Sequence, residues 1–321
     1  MRGIVFAVIL GFAAGCSGGA GAGEDIEDGG GTADTTDTAI IDTSPVDVLP
    51  VSDADEAPDS QAPDAGADAA DFDLPESGAE AQCAAGDWVT IPGGTFQMGS
   101  ADVDCGGWAG GSGPFRCANP VHAVSVPPFA IGRTEVTVCQ YRACVASGGC
   151  AEAPCIQENG ELPVGCVGWE KARAFCVWAR GRLCTEAEWE FAARNGSNDD
   201  AFPWGNGEPT CEFAVFDSGG SDSCACDYDK CPPCSRVKGN SLRAVCDLAG
   251  NAWEWVQDYF HDNYVGAPTD GSAWEVPARE YRVLRGGCEA CQADHLQSSF
   301  RGYAHPDAGG YYEGIRCCRS E

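Results

Sequence analysis

The segment Gly181-Arg-Leu-Cys-Thr-Glu-Ala-Glu-Trp-Glu-Phe-Ala192 carries a complete helix-start signal. Thr185 followed three residues later by Glu188 is a capping box, in which each side chain satisfies the other's otherwise unpaired backbone N–H. The helix it opens runs through Trp189 to Arg194, and Asn195-Gly196 supplies the residues that stop it. The same grammar recurs upstream. Thr137 with Gln140 is a second capping box, with Val138, Tyr141 and Val145 on one face until Ser147-Gly148-Gly149. Ala172, Phe175, Cys176 and Ala179 recur at helical spacing and Arg180-Gly181 closes them. Before these, Trp88-Val-Thr-Ile-Pro-Gly-Gly-Thr-Phe-Gln-Met-Gly99 predicts strand, turn, strand, and hence an early hairpin. From Phe202 onward the chain is mostly turn residues and short strands. Residues 83–321, 239 in number and without an internal repeat, read as one α+β domain with much loop.

Charge separates this domain from what precedes it. The 321 residues hold 49 Asp+Glu against 19 Lys+Arg, a formal net charge of −30. Residues 17–82 carry 18 of those acids and no Lys or Arg, so the imbalance is concentrated in a fifth of the chain. With Phe72 as its only aromatic, that stretch cannot bury enough apolar area to offset the entropy of ordering, and residues 16–82 are expected to form an acidic disordered linker. Chain statistics give such a linker a span of roughly 45 Å. Phosphate polyanions would be repelled by this charge, so nucleic acid is excluded as a partner.

The linker is expected to be a tether. Residues 1–15 place an apolar run, Ile4 to Leu10, behind Arg2, too short for a bilayer-spanning helix and suited to a signal peptide. Ala13-Ala14-Gly15 directly before Cys16 resembles a bacterial lipobox, which makes Cys16 the candidate lipidation site and membrane anchor. Ser17 rather than an acid after it favours the outer membrane. The remaining 20 of the 21 cysteines lie in residues 83–318, an even number that suits disulfides in an oxidising compartment. Cys224, Cys226, Cys231 and Cys234 offer either a tetrathiolate zinc site or a loop stapled by disulfides. The exported setting favours staples. No βαβ pattern surrounds Cys231-Pro-Pro-Cys234, so a thioredoxin-like oxidoreductase is not indicated.

Seven blocks then line up in order. They are Trp88 to Ser100, Thr134-Glu-Val-Thr137, Gly181 to Ala192, Phe202-Pro-Trp-Gly-Asn206, Asp247-Leu-Ala-Gly-Asn-Ala-Trp-Glu-Trp-Val256, Arg282-Val-Leu-Arg-Gly-Gly287 and Gly314-Ile-Arg-Cys317. Together they resemble the formylglycine-generating enzyme family, also called sulfatase-modifying factors. The resemblance implies a C-type-lectin-like fold with sparse secondary structure. It also implies that active members oxidise a cysteine of a sulfatase with molecular oxygen and copper held by two active-site cysteines. In active members Arg-Gly-Gly is followed by a serine, a first cysteine three positions on and a second five further. Here those places hold Cys288, Cys291 and Leu296. Copper(I) prefers paired thiolates, and one of the two is missing.

Two functions follow as expectations. One is a lipid-anchored, non-catalytic member whose cleft binds a cell-surface or periplasmic protein, peptide or glycan. The other is a copper- and oxygen-dependent oxidase that converts a cysteine of an exported sulfatase, with Cys291 and Cys288 as its candidate catalytic residues. The resemblance further implies a calcium loop formed by the side chain of Asp247, the carbonyls of Gly250 and Ala252, and the carboxylate of Glu254. The alternative is that Asp247 caps a turn and Glu254 pairs with an arginine such as Arg282. No nucleophile elbow, P-loop or zinc-protease motif is present, and the four histidines, His122, His261, His295 and His305, lack metal-ligand spacing.

Overall fold

The computed structural model describes residues 83, 86–101, 106–107, 117–219, 224–226 and 230–321. The expected signal peptide, Cys16 and the acidic linker lie outside the described residues. Among the described residues no helix is long and apolar enough to cross a membrane.

The chain opens with β1 (Trp88–Ile91) and β2 (Gly94–Met98), then β3 (Gly106–Gly107), β4 (His122–Val126) and β5 (Phe129–Gly132). The expected hairpin between β1 and β2 does not form. β1 pairs antiparallel with β5, while β2 pairs with β4 in a separate two-stranded sheet. The reason lies in two facing kinks. Pro92-Gly93 bends one strand opposite Pro127-Pro128 in the other, and prolines without an N–H cannot continue a ladder. Gly93, at φ +71°, is held so close that a Cβ there would stand 2.4 Å from the Val126 carbonyl oxygen. The Pro-Gly-Gly turn therefore redirects one long bent strand pair instead of folding a strand back on itself.

Three helices follow the capping signals. In α1 (Val138–Ala146) and α3 (Glu186–Ala193) both capping boxes are present, with Thr137 and Thr185 as N-caps. α2 (Trp169–Trp178) buries Trp169, Ala172, Phe175 and Cys176 and ends before Arg180, which takes the left-handed conformation that stops a helix. All eight residues of α3 are buried, including three glutamates, so this helix runs through the interior and needs cationic partners there.

β6 (Arg182–Leu183), β7 (Trp253–Tyr259), β8 (Arg282–Arg285), β9 (Gly302–Ala304), β10 (Glu313–Ile315) and β11 (Cys317–Ser320) complete two further sheets. The first has the order β1-β5-β11-β6 and the second β10-β7-β8-β9-β3. The second sheet divides the interior. Trp253, Trp255 and Leu284 join a core with α1 and α2, whereas Val256 and Val283 join a core with β1, β2, β4, β5 and α3. The α+β reading with few regular elements holds.

Nine disulfides join described residues, and Cys117 is also disulfide-bonded. Cys176–Cys317 and Cys184–Cys318 fasten β11 to α2 and to the residue after β6 across separations of 141 and 134 residues. The Cys-rich insertion is stapled: Cys224 pairs with Cys211, Cys226 with Cys231, and Cys234 with Cys246. All four thiols of the zinc alternative are thereby used.

Candidate functional site

β8 delivers Arg285-Gly286-Gly287 to a tight loop. Gly286 and Gly287 both have positive φ, and a Cβ on Gly287 would stand 3.0 Å from Leu296 Cδ2. Only glycine lets the chain turn this close to its neighbours. Directly after it, Cys288 and Cys291 are bonded to each other and buried, and the Cys291 N–H donates to the Cys288 carbonyl at 3.0 Å. The loop is sewn to its surroundings by Glu289 N–H on the Asn251 carbonyl, Asp217 N–H on the Cys291 carbonyl and Gly250 N–H on the Gly286 carbonyl.

Leu296 ends a short 3-10 turn, Ala293–Leu296, and is fully buried among Phe202, Phe216, Ala214 and Ala249. Trp204 packs on the same cluster and stacks on Phe202 and Phe213 at 5.0 and 5.2 Å. The position that the resemblance reserves for a second thiol is therefore filled by apolar packing. With the Cys288 and Cys291 sulfurs joined and no donor atom at Leu296, the residues in this arrangement do not fit a bis-thiolate copper site. His295 beside them contacts the rings of Phe300 and Trp253, and burial lowers its imidazole's pKa.

The loop expected to hold calcium is also in place, at the start of β7, but its charges are otherwise engaged. Glu254 accepts Arg316 Nη2 at 2.6 Å and Nε at 2.9 Å, and Trp189 Nε1 at 2.6 Å. Both its oxygens are filled, and Arg316 is fully buried. A divalent ion at Glu254 would have to displace a buried guanidinium, so Glu254 does not fit the calcium role in this arrangement. Asp247, with φ +55°, accepts the Cys234 N–H at 2.6 Å and thus caps a turn of the stapled insertion. Gly250, at φ +81°, accepts the Ala252 N–H at its carbonyl. Among the described residues the cluster of possible metal ligands at Asp247 consists of Asp247, Cys234 and Cys246, and the two sulfurs are joined in a disulfide. Of the two alternatives, Glu254 pairs with an arginine, and that arginine is Arg316. Arg282 instead lies between the rings of Trp169 and Tyr259, 3.8 and 3.5 Å from their centroids.

Sequence reasoning passed over the groups that complete this interior. Glu135 is fully buried, accepts Asn251 Nδ2 at 2.9 Å, and has its pKa raised by burial and by the neighbouring Asp247. Burial likewise raises the Asp247 carboxyl. A second network runs along α3. Glu186 accepts Arg301 Nε and Nη2 at 2.7 and 2.9 Å, and Glu190 accepts the Gly99 N–H and pairs with both Arg194 and Arg285. Glu135, Arg285 and Arg316 stand inside the quoted blocks, so position in a motif was the available signal. What they touch was not.

The arrangement has counterparts of known structure and sequence. The PvdO structure from Pseudomonas aeruginosa is 28% identical, with a TM-score of 0.60, over 73% of this chain and 94% of that one. A formylglycine-generating enzyme from Thermomonospora curvata is 28% identical over 311 residues, 77% of this chain and 97% of that protein. The protein named inactive C-alpha-formylglycine-generating enzyme 2 from Mus musculus is 31% identical over 174 residues, about half of each chain. The family model described as sulfatase-modifying factor enzyme 1-like domain matches residues 73–321. By that match, by its α+β fold and by the seven blocks in order, the chain belongs to the formylglycine-generating enzyme and sulfatase-modifying factor family.

Proposed function

We propose that this protein is an exported, lipid-anchored, non-catalytic member of its family, a scaffold that binds a cell-surface or periplasmic protein, peptide or glycan. One observation carries the reading: at the family's catalytic locus Cys288 and Cys291 are consumed in a disulfide, and Leu296 is an apolar packing residue. A thiolate pair is what copper(I) chemistry requires, and loss of one ligand removes most of a two-ligand site's affinity. The similarity to a mouse protein named inactive supports the reading that the family fold serves without oxidase chemistry. The acidic stretch after Cys16 supports a tether holding the domain away from a membrane.

The test uses the purified full chain. Copper(I) titration and incubation with a Cys-x-Pro-x-Arg peptide under oxygen should give neither stoichiometric copper uptake nor an aldehyde product by mass spectrometry. Aldehyde formation that disappears in Cys291→Ser would establish the oxidase and sink the scaffold reading. The anchor has its own readout. The mature N-terminal peptide should carry a lipid mass on Cys16, and an unmodified Cys16 would remove the tether.

A further inference from the structure

The geometry points to a binding site away from the Cys288–Cys291 loop: a surface hollow that takes a small apolar carboxylate about the size of one aromatic ring. The hollow has a volume of about 150 Å³ and opens between the Pro92-Gly93 kink, the end of α3 and the turn that carries Arg243. An enclosed apolar cavity of about this volume holds one benzene-sized ring, and this hollow offers the same space open on one side. Ile91, Phe191 and Ala192, all buried, form its apolar floor, and Asn195, Ser197 and Arg243 make its wall polar. These belong to the core shared by β1 and α3, whereas Cys288 and Cys291 belong to the other core.

Two features keep the floor open. Cβ atoms on Gly94 and Gly196 would each stand 3.3 Å from Phe191 Cζ, so a side chain at either position would crowd the ring. Both glycines have positive φ, which the kink and the helix stop require, so no side chain from either position crowds the Phe191 ring at the floor.

Among the described residues the rim carries one cation, Arg243. Ser241 to Val245 form a tight turn closed by Ser241 N–H to the Val245 carbonyl at 3.0 Å and Ala244 N–H to the Ser241 carbonyl at 2.8 Å. Asn195 fixes that turn to the end of α3: its Oδ1 accepts the Leu242 N–H at 2.8 Å, while its Nδ2 donates to Asp200 and to the Pro203 carbonyl. Arg133 Nη1 holds the Ala244 carbonyl from the other side at 2.8 Å. The turn thus fixes the Arg243 backbone at the rim, and its side chain is exposed there. Arg243 forms no hydrogen bond or ion pair among the described residues, although residues 83–321 hold 31 acids against 18 bases. In so acidic a domain, a guanidinium with no carboxylate partner among the described residues, beside a partly apolar hollow, is complementary to an anion that brings its own apolar body.

The probes are benzoate and its neutral, near-isosteric counterpart benzamide, followed by saturation-transfer NMR and calorimetry on the full chain. Benzoate should bind saturably and benzamide about tenfold more weakly, the worth of one charge-assisted hydrogen bond. Arg243→Gln should bring benzoate down to the benzamide level, and Ser197→Trp at the mouth should abolish both. Arg243 and Ser197 are exposed, so unchanged melting curves would accompany the losses. Lack of saturation by benzoate, equal binding of the two probes, or benzoate binding indifferent to Arg243→Gln would each overturn the site.

Discussion

Glu254 shows how one residue's neighbours decide its role. Its carboxylate lies between Arg316 and the Trp189 indole, all three nearly or fully shielded from solvent. Removing its charge strands a buried guanidinium, which costs about 3–5 kcal/mol in comparable interiors. Glu254→Gln should therefore lower the denaturation free energy by about that much, whereas EGTA should leave the melting temperature of the wild-type protein unchanged. A clear fall in melting temperature with EGTA, reversed by calcium, would restore the calcium assignment. Asp258 makes a second residue-scale prediction. Its two oxygens accept the N–H groups of Glu186 and Trp274, each at 2.7 Å, and burial, reinforced by Glu186, pushes its carboxyl up to about 7. The folded value lies above the unfolded one of about 3.9, so its contribution is complete below about pH 4 and is lost as pH rises through about 7. A shift of that size is worth on the order of 4 kcal/mol. Guanidinium unfolding at pH 5 and pH 8 should show part of this loss in the wild type and a flatter profile in Asp258→Asn. Identical slopes for the two proteins would refute the assignment.

At the scale of elements, the helices were legible and the strand partners were not. The capping boxes at Thr137 and Thr185 are local, since each involves groups three residues apart, and both helices begin where the spacing placed them. Thr185→Ala should cost about 1 kcal/mol through loss of its cap. It would also lose the hydroxyl's bond to the Gly271 carbonyl, so a cost below that of a surface substitution would contradict the cap geometry. In the sequence the Pro92-Gly93-Gly94 turn predicts a hairpin, because turn chemistry specifies a bend without specifying a partner. The partner came from Pro127-Pro128, some 35 residues on, whose missing N–H groups kink the facing strand at the same level. Gly93→Ala tests that nesting. The close approach to Val126 and the positive φ should make the substitution cost at least 1 kcal/mol, measurable by chemical denaturation, and a neutral change would show that the kinks do not touch.

At the scale of the whole molecule the cysteines carry much of the stability. The domain has few regular elements, and the described residues between 195 and 250 are held by the staples Cys211–Cys224, Cys226–Cys231 and Cys234–Cys246. In the chain-entropy account, a cross-link closing a loop of over a hundred residues contributes on the order of 5 kcal/mol, so Cys176–Cys317 and Cys184–Cys318 should be the most consequential. Unreduced protein denatured in guanidinium, with Cys16 accounted for, should yield no titratable thiol. Two free thiols mapping to Cys288 and Cys291 would reopen the copper site, and thiols elsewhere would contradict the pairing. Truncation before Cys317 should abolish cooperative unfolding, because it removes β11 and both long-range bonds at once.

Some conclusions needed only the order of residues. The family blocks, the helix starts, the even cysteine count and the charge asymmetry are properties of neighbours along the chain, and local hydrogen bonding and composition express them without tertiary help. Leu296 could likewise be recognised as a residue without a thiol. Whether Cys288 and Cys291 face each other, whether Glu254 meets Arg282 or Arg316, and whether Arg243 finds a carboxylate depend on contacts across 3, 62 and more residues. Such contacts are set by how the sheets and α3 pack around three apolar clusters, and side-chain pairing in a dry interior answers to distance in space, where a few ångströms determine which charge is neutralised.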